Sequence, residues 1–203
     1  MRQNVAGIMS VILFLLFFPA YPCFSETVLH TVNTVEGIQD ALTIAENNGK
    51  DDFILIEPGT YDVSAAPLNF SSVEDYALRI SGISGNPPVL SGSPGSTERV
   101  LSISSQGGSN ASVDIIRIVI SGSRSDSNGG GAHVLATGNV KISECRFDNN
   151  RSTAHWMGGG AYVQVTRWSS KAVISYTTFE NNFAGYGAGI FVSAPSVDML
   201  GNR

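Results

Sequence analysis

The sequence predicts an all-β solenoid, a single-stranded parallel β-helix covered at its N-terminal end by one short helix. Three observations carry that prediction. The first is a glycine block that recurs 29 residues apart each time: Gly129-Gly130-Gly131-Ala132-His133-Val134, Gly158-Gly159-Gly160-Ala161-Tyr162-Val163 and Gly187-Ala188-Gly189-Ile190-Phe191-Val192. The second is a phrase that alternates with it, Ile142-Ser143-Glu144-Cys145-Arg146-Phe147-Asp148-Asn149-Asn150 and then Ile174-Ser175-Tyr176-Thr177-Thr178-Phe179-Glu180-Asn181-Asn182. A fixed period of this length marks units that bury their apolar faces only against one another. The third is strand character. Val134, Val140, Ile142, Val163 and Val173 sit in short β-branched runs bounded by Gly and Asn, and the repeats keep no helical spacing. Two or three such strands per repeat make one coil, and coils stack at the interstrand distance of about 4.8 Å.

Taken in order, residues 1–25 read as a targeting segment. Arg2 supplies a positive start, Ile8 through Phe18 is almost wholly apolar, and Cys23-Phe24-Ser25 offers a cleavage site before Glu26. The apolar run is far shorter than the roughly 20 residues of a bilayer span. A lipid attached at Cys23 is the alternative, although Tyr21-Pro22 suits that signal poorly. The chain is expected to be exported, to the periplasm, the cell surface or outer membrane, or the medium.

Residues 33–48 are the one helical pattern. Ile38, Ala41, Leu42 and Ala45 form an apolar stripe, Asn33 is placed to cap the start with Glu36 three residues on, and Asn47-Asn48-Gly49 supplies a stop. A solenoid end exposes raw core, so a capping helix is what the entry needs. Phe53-Ile54-Leu55-Ile56 then reads as a buried strand closed by a turn at Glu57-Pro58-Gly59-Thr60-Tyr61. Residues 53–112 are expected as irregular first coils, with Leu78-Arg79-Ile80, Val89-Leu90 and Val100-Leu101-Ser102-Ile103 as strands between Pro- and Gly-rich loops.

Residues 113–203 are expected as regular coils. Phe147 and Phe179 fall at like positions, with Ile120 before them, so they should stack as a column inside. Asn150 and Asn182 follow at a corner, placed to hydrogen-bond along the stack. Glycine is expected wherever the coil bends sharply. Val197-Asp198-Met199 tracks Val140-Lys141-Ile142, and the sequence stops before the next core aromatic. The expectation is a C-terminal end truncated mid-coil, as in a piece of a longer solenoid; a partner chain covering the end is the alternative.

Two resemblances follow. Glycine blocks alternating with Phe147-x-x-Asn150 and Phe179-x-x-Asn182 resemble the repeats of the polymorphic outer-membrane protein family, over roughly residues 115–203. That resemblance implies a surface-exposed, adhesin-like β-helix. It departs at Ala188, and no membrane-anchoring barrel follows in this sequence. The entry, Val35-Glu36-Gly37-Ile38-Gln39-Asp40-Ala41-Leu42 and then Ile54-Leu55-Ile56-Glu57-Pro58-Gly59-Thr60-Tyr61, looks like that of the pectin- and pectate-lyase-like superfamily. This second likeness implies a right-handed single-stranded parallel β-helix over residues 26–203, and no particular chemistry.

Composition narrows function by exclusion. A net charge of −5 with no Lys/Arg cluster argues against nucleic acid and anionic membrane surfaces. Cys145 would be alone once the leader is removed, with no placed histidine, and reads as a small buried hydrophobe. Asp148 and Glu180 match one coil apart, but two acids without a third or a placed Arg make a poor calcium cage. His30 and His133 have no partners at metal-ligand spacing. No catalytic residue, metal site or cofactor is assigned. The candidate binding patch lies on the loop between the Phe column and the glycine block. Stacking there gathers Asp126, Arg151, His155, Trp156 and Tyr186 on one edge, a platform for sugar rings, with Trp168 on another edge. The expected function is a non-catalytic surface module, adhesin-like or binding a polysaccharide or cell-surface glycan. The alternatives are a fragment of a polysaccharide lyase or glycoside hydrolase whose catalytic coils are missing, and a purely structural solenoid segment.

Overall fold

The computed structural model describes residues 26–203 except Pro94, Ser96 and Ala154. The expected leader, with Cys23, lies outside the described residues. Every pairing between strands is parallel, and the chain climbs through about five turns that visit three faces in the same order. The first face holds Thr27–Val32, Asp51–Ile56, Leu78–Gly82, Val113–Ile116, Val140–Ser143, Ala172–Ser175 and Val197–Leu200. The second holds Thr60–Asp62, Val89–Ser91, Val119–Ser121, Arg146–Asp148 and Thr178–Glu180. The third holds Leu68–Ser72, Leu101–Ser105, Ala132–Ala136, Ala161–Val165 and Ile190–Ser193. Arg124–Ser125 pairs with Arg151–Ser152 at the corner between the second and third faces.

Alternation within each strand sends every second side chain inward, and the register stacks like positions. Ile54, Ile80, Ile115, Ile142 and Ile174 form one buried column on the first face. Tyr61, Leu90, Ile120, Phe147 and Phe179 form another on the second. The Phe147 and Phe179 rings lie 5.2 Å apart and 10° from parallel, so the expected aromatic column exists and has Ile120 in it. Phe70, Ile103, Val134, Val163 and Val192 complete the core from the third face.

The corner asparagines form a ladder. The Asn150 Nδ2 donates to Ile120 O at 2.9 Å, and the Asn182 Nδ2 to Phe147 O at 2.8 Å. The Asn182 Oδ1 accepts from Asn150 N at 3.0 Å, and the Asn150 Oδ1 from Ser123 Oγ at 2.8 Å. Asn150 is 1% exposed, so its amide satisfies backbone groups that water cannot reach.

Glycine serves the bends into the third face as expected, with φ of 75°, 71° and 59° at Gly129, Gly158 and Gly187, but not every bend. The bend from first to second face takes Arg117, Glu144 and Tyr176, with φ of 55°, 56° and 51°, and only then Gly201. Each side chain in that conformation costs about 1–2 kcal/mol, which the stacked coils on either side offset. Within the glycine blocks, the residues after the positive-φ glycine answer to close approach. A Cβ on Gly159 would lie 2.4 Å from Ala188 O and 2.5 Å from Phe183 O. Ala188 fits because Ile190–Ser193, which follows it, is the edge strand of this face among the described residues.

The helix runs Val35–Ala45 and turns Ile38, Ala41, Leu42 and Ala45 inward against Asp51–Ile56 and Leu68–Ser72. Its cap is Thr34 and not Asn33. The Thr34 Oγ1 accepts from Gly37 N at 2.9 Å, and Gly37, not Glu36, occupies the third helical position. Thr27–Val32 adds a strand before the helix, paired with Asp51–Ile56. The strands between residues 51 and 105 keep full register, so irregularity there is confined to the connections.

Cys145 is 4% exposed, its Sγ sits 3.3 Å from Ser143 O, and burial pushes its thiol up to about 12. Alkylation mapped by mass spectrometry should leave Cys145 unmodified in the native protein and modify it fully in denaturant. In urea unfolding, Phe147→Ala should cost about 3–5 kcal/mol. Asn150→Ala, which strands buried polar groups, should cost about 1–3 kcal/mol.

Candidate functional site

The alternation that buries Val134, Val163 and Val192 turns their neighbours His133, Tyr162 and Phe191 outward on the third face, in register. The His133 and Tyr162 rings stack at 5.1 Å and 10°, and the Tyr162 and Phe191 rings at 5.6 Å and 1°. Their faces meet one another along the solenoid axis. Tyr162, in the middle, is only 8% exposed, and its hydroxyl donates to Gln164 Oε1 at 3.2 Å. On the two coils below His133 the same column carries Ser102 and then Asn69.

The ring stack therefore ends in a step. Below it opens a cavity of about 380 Å³, with His133 and Trp156 as its rings and Asn69, Glu98, Arg99 and Ser102 among its polar lining. Arg99 holds the wall together. Its guanidinium donates to Asn128 O at 2.8 Å, to Ser125 Oγ at 3.5 Å and to Ser127 Oγ. The Asn128 Oδ1 in turn accepts from Met157 N at 2.9 Å, and the Trp156 carbonyl accepts from Gly185 N at 3.1 Å and Tyr186 N at 3.3 Å. Corner loops of four successive coils are thus tied into one rim. Burial, and then the nearby Arg99 charge, lower the His133 pKa to about 4, so its imidazole is neutral at ordinary pH.

The family model for the right-handed β-helix region matches residues 63–203. The chain belongs to the right-handed β-helix family. No curated protein and no solved structure matches it.

Within this right-handed β-helix the five residues expected as a patch all lie on the corner between the second and third faces, on successive coils. Trp156 enters the cavity wall and is 42% exposed. Tyr186 is 63% exposed on the next coil, bridged through its backbone to Met157. The Arg151 guanidinium lies 4.6 Å from the Phe183 ring centre, a cation–π contact. Asp126 faces Arg124 at 3.8 Å, and His155 is exposed. The rim brings Trp156 and Tyr186 together through the backbone; Asp126 and Arg151 are engaged with other partners. Trp168, 85% exposed, lies on the loop that returns to the first face.

The acidic pair has a partner the sequence reading lacked. Arg146 contacts Asp148 Oδ2 at 3.0 Å and Glu180 Oε1 at 2.6 Å, so both carboxylates are engaged by one cation. His30 bonds buried Asp52 at 2.9 Å, which makes it part of the N-terminal packing. Among the described residues no group of three or more His, Cys, Asp or Glu is placed to hold a metal ion.

The reading by sequence missed the ring stack, although its signal is present. The fifth residue of each glycine block is His133, Tyr162 or Phe191, one period apart. Arg99 carries no such signal, because it stands in an irregular loop.

The His133 pKa gives a pH test. The unfolded chain binds a proton near pH 6.5 that the folded chain refuses until about pH 4. Stability from this group is therefore complete above the unfolded value and falls as pH drops from about 6.5 to about 4. Melting curves across that window should show the decline, and His133→Phe should remove this component of it.

Proposed function

We propose that the protein is an exported, non-catalytic β-helix module that binds carbohydrate, adhesin-like, at the cell surface or outside the cell. The observation that carries this reading is the cavity below His133. It combines two ring side chains with amide, hydroxyl and charged groups on a rim fixed by Arg99. Apolar C–H faces of a pyranose suit the rings, and its hydroxyls suit the polar lining, the pattern of a small-ligand site. Export rests on Arg2 and the apolar run Ile8 to Phe18. The glycan partner is a polysaccharide or a cell-surface chain.

The reading as part of a lyase or hydrolase draws no support from Asp148 and Glu180, which are ion-paired to Arg146. Acid–base work on a glycosidic bond needs one carboxyl held protonated and a second placed across the bond.

A glycan array, followed by titration calorimetry of the best binder, tests the proposal. Trp156→Ala should weaken binding at least about tenfold, or about 1.4 kcal/mol. Trp168→Ala, on another edge, should leave it unchanged. Equal loss in both variants, or binding untouched by Trp156→Ala, would remove this cavity as the binding site.

A further inference from the structure

We propose that the cavity takes the end of a neutral glycan chain, about two sugar units deep, with the His133 ring as the wall at which the terminal unit stops. This rests on the carbohydrate reading above and deepens it.

The stop comes from how the rings are stacked. His133, Tyr162 and Phe191 present their faces to one another at 5.1 and 5.6 Å. At the lower end of this stack the His133 face toward Ser102 meets Ser102 and Asn69 in place of a ring. A chain lying along the solenoid axis over Asn69 and Ser102 therefore meets that face end-on. It has no open track beyond, because Tyr162 is only 8% exposed. The depth follows from the register. Two coils, those of Asn69 and Ser102, lie below the wall and span about 10 Å at the interstrand spacing, close to one pyranose per coil.

Charge selects a neutral sugar. Glu98 and Arg99 stand side by side on the wall, opposite in sign, and the Glu98 charge favours the charged guanidinium. Arg99 already spends donors on Asn128 O and the hydroxyls of Ser125 and Ser127. With the imidazole uncharged, the cavity offers an acidic sugar no unopposed cation.

The test measures affinity against chain length for the full protein. The probes are β-1,4-linked glucose, N-acetylglucosamine and mannose oligomers of one to six units. For the series that binds, affinity should rise about tenfold from one unit to two and change by less than about twofold thereafter. His133→Ala moves the wall up to the Tyr162 ring, so the plateau should shift to three units. Ser102→Phe extends the ring stack down one coil, and the plateau should shift to one unit. Circular dichroism identifies variants that keep the fold, and either variant alone decides the question. Affinity that keeps rising through six units, or a plateau unmoved by a folded variant, overturns end recognition while leaving carbohydrate binding standing. No binding by any of the oligomers overturns the carbohydrate reading itself for neutral chains.

Discussion

Parallel hydrogen bonding between successive coils, in one fixed register, is the constraint on which the structure depends. It gives each residue the same two neighbours in space, its counterparts one period earlier and one period later. A slip of one residue would turn every inward side chain outward, so the register is held by the core itself. The isoleucine column on the first face and the Phe147–Phe179 stack on the second are consequences. So is the asparagine ladder, in which each amide serves the coil next to its own. Gly159 belongs to the same logic: the coils come so close at that corner that no side chain fits between Ala188 O and the Phe183 carbonyl.

Much of this is legible in the sequence, because a period needs no knowledge of distant contacts. The glycine blocks, the Phe positions and the helix stripe each report local alternation or spacing. What escapes has identifiable causes. Thr27–Val32 alternates Thr and His with aliphatic residues and is half exposed, so its apolar signal is weak. The cap falls on Thr34 because which hydroxyl reaches a free N–H is settled by the angle at which the chain enters the helix. Arg117, Glu144 and Tyr176 take a left-handed conformation that propensity assigns to glycine, and the coils on either side impose it.

The candidate site divides the same way. Trp156 was within reach, because stacking of corner loops follows from the period alone. The outward column His133, Tyr162 and Phe191 was equally periodic but hidden by its setting, one residue from the valines that mark the strand. Arg99 was out of reach altogether. Its bonds to Ser125, Ser127 and Asn128 join a loop without repeat character to the first regular coil, and nothing in either segment announces the other.

Register also governs where charge can stand, and this bears on what the surface can recognise. Two like charges about 4.8 Å apart repel by about 3.5 kcal/mol at an effective dielectric of 20, before screening by salt. A column of matched acids, the arrangement a stacked catalytic or calcium site requires, is therefore opposed by the geometry that would assemble it. The chain resolves that conflict by alternating sign. On the outside of the first face Arg79 lies beside Asp114 at 2.9 Å, Lys141 follows Asp114 in register, and Lys171 reaches Asp198 at 3.1 Å. Where two acids do coincide, at Asp148 and Glu180, Arg146 binds both. With charge paired off in this way on the first and second faces, the features that distinguish one part of the exterior from another include ring faces, amides and hydroxyls. The cavity below His133 gathers these, and that is why the ligand proposed for it is uncharged and hydroxyl-rich.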